Sequence, residues 1–124
     1  MNTINIKATN STPAVIFGND NTLIIKGRSI PANENKFYNP LISWAESLDI
    51  SKLTVDINLE YMNSVSSKMV LYLLKKLDTN AKIERLTIRW FFEAGDEAAY
   101  ECGKIFKEML KKAEFRFCRF RDAS

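Results

Sequence analysis

The stretch Leu53-Thr54-Val55-Asp56-Ile57-Asn58-Leu59-Glu60-Tyr61-Met62-Asn63-Ser64-Val65-Ser66-Ser67-Lys68 decides the architecture of this 124-residue chain. Leu53, Val55, Ile57 and Leu59 alternate strictly with polar residues, the period of a strand with one packed face and one polar face. From Val65 the spacing changes: Met69, Val70, Leu73, Leu74 and Leu77 recur at three and four residues, the stripe of an amphipathic helix. The switch falls on a serine-rich segment, so three hydroxyls gather at a helix N-terminus, where a phosphate is readily held.

Working outward, Ile83, Leu86, Ile88 and Trp90 read as an interior strand, and Gly95-Asp96 starts a third helix carrying Ala98, Ala99, Cys102, Ile105, Phe106, Met109 and Leu110. Phe115 to Phe120 close the chain as a short strand. On the N-terminal side, Ala14 to Phe17 and Thr22 to Lys26 flank Gly18-Asn19-Asp20-Asn21, a hairpin signature, and the second of these strands stops at Gly27. Arg28 to Asn35 read as a polar connection without regular structure. Phe37, Leu41, Trp44, Ala45 and Leu48 mark the first helix, with Pro40 expected in its first turn. The opening residues alternate only weakly.

The order is therefore strand, strand, helix, strand, helix, strand, helix, strand. Helices alternating with strands imply parallel neighbours and right-handed crossovers, while the hairpin adds an antiparallel edge. The expected fold is α/β, a small mixed sheet of about five strands with three helices. That order matches the STAS-like sheet of anti-sigma-factor antagonist domains. One domain spanning residues 1–124 is expected from the length.

Composition narrows the function. Lys and Arg number 18 against 15 Asp and Glu, a surplus of +3 that is scattered along the chain, so no nucleic acid is expected as a partner. The late cluster from Lys104 to Arg121 is interrupted by Glu108 and Glu114 and reads as a solvated helix face followed by a charge-protected edge strand. The N-terminus lacks the cationic start and apolar run of a signal peptide, and no stretch approaches a membrane span, so a cytoplasmic protein without membrane insertion is expected. Cys102 and Cys118 then read as reduced, small buried thiols.

Histidine is absent, which removes the usual general base and the commonest metal ligand. The two cysteines show no metal-ligand spacing, and the four glycines form no phosphate-binding loop, so neither a metal nor a cofactor is expected. Ser64 and Lys68, one helical turn apart, are the nearest approach to a catalytic pair, though such spacing is ordinary at a solvated helix start. The plain reading of Ser64 is an N-cap, a role Asn63 can share. With capping shared, the Ser64 hydroxyl is available to carry a phosphate beside the helix dipole, with Lys68 one turn away to help hold it. A small-ligand module of the same fold and a Ser/Lys hydrolase are the competing readings; the first needs an apolar cavity.

The residues also carry a family pattern. Thr12-Pro13, Gly27-x-Ser29-x-Pro31-x-Asn33, Phe37, Pro40 and Trp44 are followed by Tyr61-x-Asn63-Ser64 with Lys68, Trp90-x-Phe92 and Glu101-x-Gly103-x-x-Phe106. In order and spacing the chain resembles the SiaC family of bacterial regulatory phosphoproteins. That resemblance implies a non-enzymatic partner switch in cyclic di-GMP signalling. The unmodified protein would bind and activate a diguanylate cyclase, a cognate Ser/Thr kinase would release it by phosphorylation, and a metal-dependent phosphatase would reset it. The family's acceptor is a threonine that falls on Ser64 here, followed by Val65 where the family has serine; Ser66 and Ser67 are the fallback acceptors. Asn63, Ser64, Ser66, Ser67 and Lys68 are the expected partner-binding residues.

Overall fold

The computed structural model describes residues 3–121, so the two ends of the 1–124 span lie outside it. The strand read from the deciding stretch is β4 (Lys52–Met62), and the helix that follows is α2 (Ser64–Thr79), with Asn63 alone between them. Around them lie β1 (Ile4–Ile6), β2 (Ala14–Phe17), β3 (Thr22–Ser29), α1 (Glu34–Ser47), β5 (Arg85–Glu93), α3 (Glu97–Met109) and β6 (Glu114–Phe120). The strands form one sheet in chain order: β1, β2 and β3 pair antiparallel, and β3 through β6 pair parallel.

The sheet has six strands where the sequence pattern gives about five. The additional strand is β1, whose Ile4, Asn5 and Ile6 lie opposite Phe17, Ile16 and Val15. Three residues are too few for alternation to announce a strand; β2 supplies the pairing that defines it. A second difference concerns the connection from Arg28 to Asn35. Its first two residues continue β3, opposite Tyr61 and Met62, after a register shift at Gly27 and Arg28 that leaves Glu60 as the extra residue on β4. Gly27 makes this possible with φ +127, a backbone angle closed to residues with a side chain.

Helix α1 begins at Glu34, capped by the Asn33 side chain accepting from Lys36 N at 3.0 Å. Pro40 is therefore the seventh residue and lies in the second turn, not the first. The stripe that this helix buries is Tyr38, Leu41, Ile42 and Ala45, while Phe37 and Trp44 are half-buried at its flanks. Trp44 meets Phe17 of β2 edge-on, with ring centroids 5.0 Å apart.

One face of the sheet carries the core. Val15, Phe17, Leu23, Ile25, Val55, Ile57, Ile88 and Trp90 pack with the buried residues of the helices. On the opposite face Asp56 receives Arg89 Nε and Nη2, each at 2.6 Å, across the β4–β5 pair. Fork-on-fork pairing of this kind satisfies a carboxylate that is otherwise nearly shielded from water, and it keeps Arg89 protonated more firmly than usual.

α3 packs mainly on β5 and β6 at the end of the sheet, so its buried stripe is narrower than the sequence pattern. Gly103 and Phe106 are buried, but Ile105 and Met109 are 56% and 44% exposed. Phe106 meets Trp90 at 5.0 Å, and the Trp90 indole N–H donates to Ala99 O at 3.0 Å. The thiols also differ from expectation: Cys102 and Cys118 are each half-buried.

Candidate modification and partner-binding site

Four hydrogen bonds at Asn63 fix how β4 becomes α2. Its side-chain Oδ1 accepts from Ser66 N at 2.8 Å, its carbonyl accepts from Ser67 N at 2.9 Å, and its own N–H donates to Ser29 O at 3.2 Å. Its side-chain amide donates to Glu34 Oε2 at 3.3 Å, in the first turn of α1. Asn63 is thus the N-cap, and Ser64 is the first residue of the helix rather than the cap.

The three serines have different surroundings. Ser64 is exposed, and its hydroxyl makes no hydrogen bond to any described residue. Ser66 is fully buried, accepting from Ser29 Oγ at 3.0 Å, and Ser29 in turn shares a 2.5 Å hydrogen bond with the Tyr38 hydroxyl. Burial pushes the Tyr38 phenol upward from its ordinary 10.0, with the Ser29 bond opposing and the charge of Glu34 reinforcing the rise. Ser67 is half-buried, with its hydroxyl 3.7 Å from Cys102 Sγ. Burial raises the Cys102 thiol, the Ser67 contact again opposing, so this thiol is a weak nucleophile at neutral pH.

Lys68 is exposed and forms no ion pair with a described residue, and no hydrogen bond joins it to Ser64. No described residue hydrogen-bonds the Ser64 hydroxyl. Tyr61 and Val65, three residues before and one after Ser64, are 53% and 47% exposed, so large apolar side chains are presented to solvent along this segment. Between the first turns of α2 and α3 a groove of 260 Å³ opens, lined by Met62, Ser64, Ser67, Trp90, Ala99 and Cys102 among others. It lies at the C-terminal ends of parallel strands β4 and β5, a position where α/β sheets commonly present functional residues.

Of the residues expected at the site, Asn63, Ser64 and Ser67 line this groove, Lys68 is exposed on α2 outside its lining, and Ser66 is buried in the core. Sequence reasoning assigned no role to Glu34, Ser29 or Tyr38. Gly27-x-Ser29 stood within the family pattern, but which atom each side chain would meet is a property of the packed chain.

A mixed sheet covered by helices on one face, with an exposed serine at the helix start that follows interior strand β4, defines a small α/β protein. The chain belongs to the SiaC family of regulatory phosphoproteins, whose pattern spans residues 6–120. Its structure is similar to that of SiaC of Pseudomonas aeruginosa, with a TM-score of 0.79 at 24% identity, covering 97% of this chain and 100% of that one. Apo-SiaC of the same organism gives 0.77 at 26% identity, over 95% and 99% of the two chains. SiaC as the activator bound to the diguanylate cyclase SiaD gives 0.77 at 25% identity, over 94% and 99%. No curated protein matches the chain.

Proposed function

We propose that this protein is a non-enzymatic, cytoplasmic switch that binds and activates a diguanylate cyclase, and that phosphorylation of Ser64 releases it. The observation that carries this reading is the state of Ser64: exposed, free of any capping duty, and flanked by exposed Tyr61 and Val65. The solved complex of a relative with its cyclase supports the class of partner. A cognate Ser/Thr kinase and a metal-dependent phosphatase complete the cycle. Ser66 is a poor acceptor because a kinase would first have to extract it from the core, and Ser67 is half shielded by Cys102.

Direction follows from electrostatics. A phosphoserine adds about two negative charges and three strong acceptors. Set among apolar contacts of a packed interface, that group must be desolvated, and the complex weakens. The test is fragment mass spectrometry after incubation with the kinase, with cyclase binding measured for Ser64→Asp and Ser64→Ala. Phosphate is expected on Ser64, with binding kept by Ser64→Ala and reduced at least about tenfold by Ser64→Asp, a change worth about 1.4 kcal/mol. Phosphate confined to other residues, or full binding by Ser64→Asp, overturns the reading.

A further inference from the structure

The first turns of α1 and α2 meet at one carboxylate. Glu34 is the acidic residue in the first turn of α1, α2 has none in its own first turn, and the Asn63 amide donates to Glu34 Oε2 at 3.3 Å. Glu34 is therefore the acidic group shared by two positive helix ends. Beneath it the Tyr38, Ser29 and Ser66 hydroxyls form a buried chain linking the same two helices through β3. At the far ends, the Asn80 side chain donates to Ala45 O at 3.0 Å and Leu48 O at 2.9 Å. The two helices are thus tied at both ends, the far ends also by the Lys76–Glu46 ion pair at 4.0 Å, but only the near tie uses a carboxylate bonded to the cap residue beside Ser64.

We infer that Glu34 is the positioning residue of the switch: it holds Asn63, and with it the start of α2, against α1 until a phosphoryl group on Ser64 repels it. This rests on the reading of Ser64 as the modified residue. The repulsion breaks the Glu34–Asn63 bond, and the first turns of α1 and α2 separate while Asn80 holds their other ends. Other charged groups at the site are Lys68 on α2 and, lining the same groove as Ser64, Glu60 on β4 and Asp96, the N-cap of α3. The Asp96 carboxylate is engaged in capping α3, where it accepts from Ala99 N at 3.1 Å. Glu34 is the carboxylate that hydrogen-bonds the cap residue itself.

Glu34→Gln separates charge from structure, because a glutamine oxygen still accepts from Asn63 while the negative charge is gone. Phosphoserine is encoded genetically at position 64 in the full chain and in the Glu34→Gln variant, which makes the experiment independent of any kinase. Amide hydrogen exchange is then read over residues 36–38 of α1. Phosphoserine is expected to speed exchange there by about tenfold in the parent chain and by less than about threefold in Glu34→Gln. A second readout is the phosphorus resonance titration, in which the second ionisation of the phosphoserine should occur at lower pH in Glu34→Gln than in the parent. Equal acceleration in both chains, or identical titrations, overturns the role of Glu34. Failure of the reading of Ser64 shows separately, as absence of kinase-dependent phosphate at that residue.

Discussion

The Asp78 carboxylate, 8% exposed at the end of α2, accepts the backbone N–H groups of Lys111 at 2.8 Å, Lys112 at 2.9 Å and Ala113 at 2.8 Å. One side chain thereby fixes the turn from α3 into β6. Asp78→Ala orphans three donors and is expected to cost roughly 2–4 kcal/mol in urea denaturation, with Asp78→Asn losing less because one oxygen remains to accept. Tyr38 and Cys102 each make the fold less stable at alkaline pH. Burial is the largest cause that raises each above its ordinary value of 10.0 and 9.0 respectively, so the folded state favours the protonated forms. Their contribution is complete below those values; as pH rises past 9 and then 10, the unfolded chain ionises first and stability falls. Urea midpoints measured from neutral to alkaline pH should decline across that window. Tyr38→Phe should flatten the upper part of the decline while lowering stability at neutral pH, where the Ser29 bond is lost.

Among the elements, α3 shows how a local pattern is bounded by its neighbours. An added Cβ at Gly103 would lie 2.7 Å from Trp90 Cδ1 and Nε1 and 2.8 Å from Phe117 Cε1, atoms of two rings held by β5 and β6. Gly103 is thus required by close approach and not by backbone angle. Gly103→Ala gains about 1 kcal/mol of helix propensity but pushes α3 from the sheet, and the expected net loss is roughly 1–3 kcal/mol. Thermal unfolding gives that figure, and the Trp90 emission, altered when its hydrogen bond to Ala99 O is strained, reports the displacement. The periodicity of α3 is visible in the sequence, but it puts Ile105 and Met109 in the buried stripe. They are outside because the sheet ends at β6 and leaves nothing for that flank to cover. β4 and β5 were read with less ambiguity, since an interior strand must be apolar wherever it faces helices, whatever else surrounds it.

Across the whole molecule, the six strands run in chain order and the helices cover one face, which leaves the start of α2 projecting where β4 ends. The Ser64 hydroxyl makes no hydrogen bond to a described residue, so Ser64→Asp and Ser64→Ala should unfold within a few degrees of the parent chain. The single charge of Asp gains from the helix dipole about what it loses to Glu34. A variant that changes cyclase binding without changing thermal unfolding thus reports on the interface and not on folding. The alternation from Leu53 to Leu59, the helical stripe after Val65 and the order of elements follow from the sequence alone, because burial periodicity is set by the covalent geometry of helix and strand. So does membership of the SiaC family, whose pattern spans residues 6–120. Which serine is exposed, which is buried and which residue caps the helix were decided by tertiary structure. Ser64, Ser66 and Ser67 are chemically alike and differ only in what β3, α1 and α3 bring against them: nothing, the Ser29 hydroxyl, and the Cys102 sulfur.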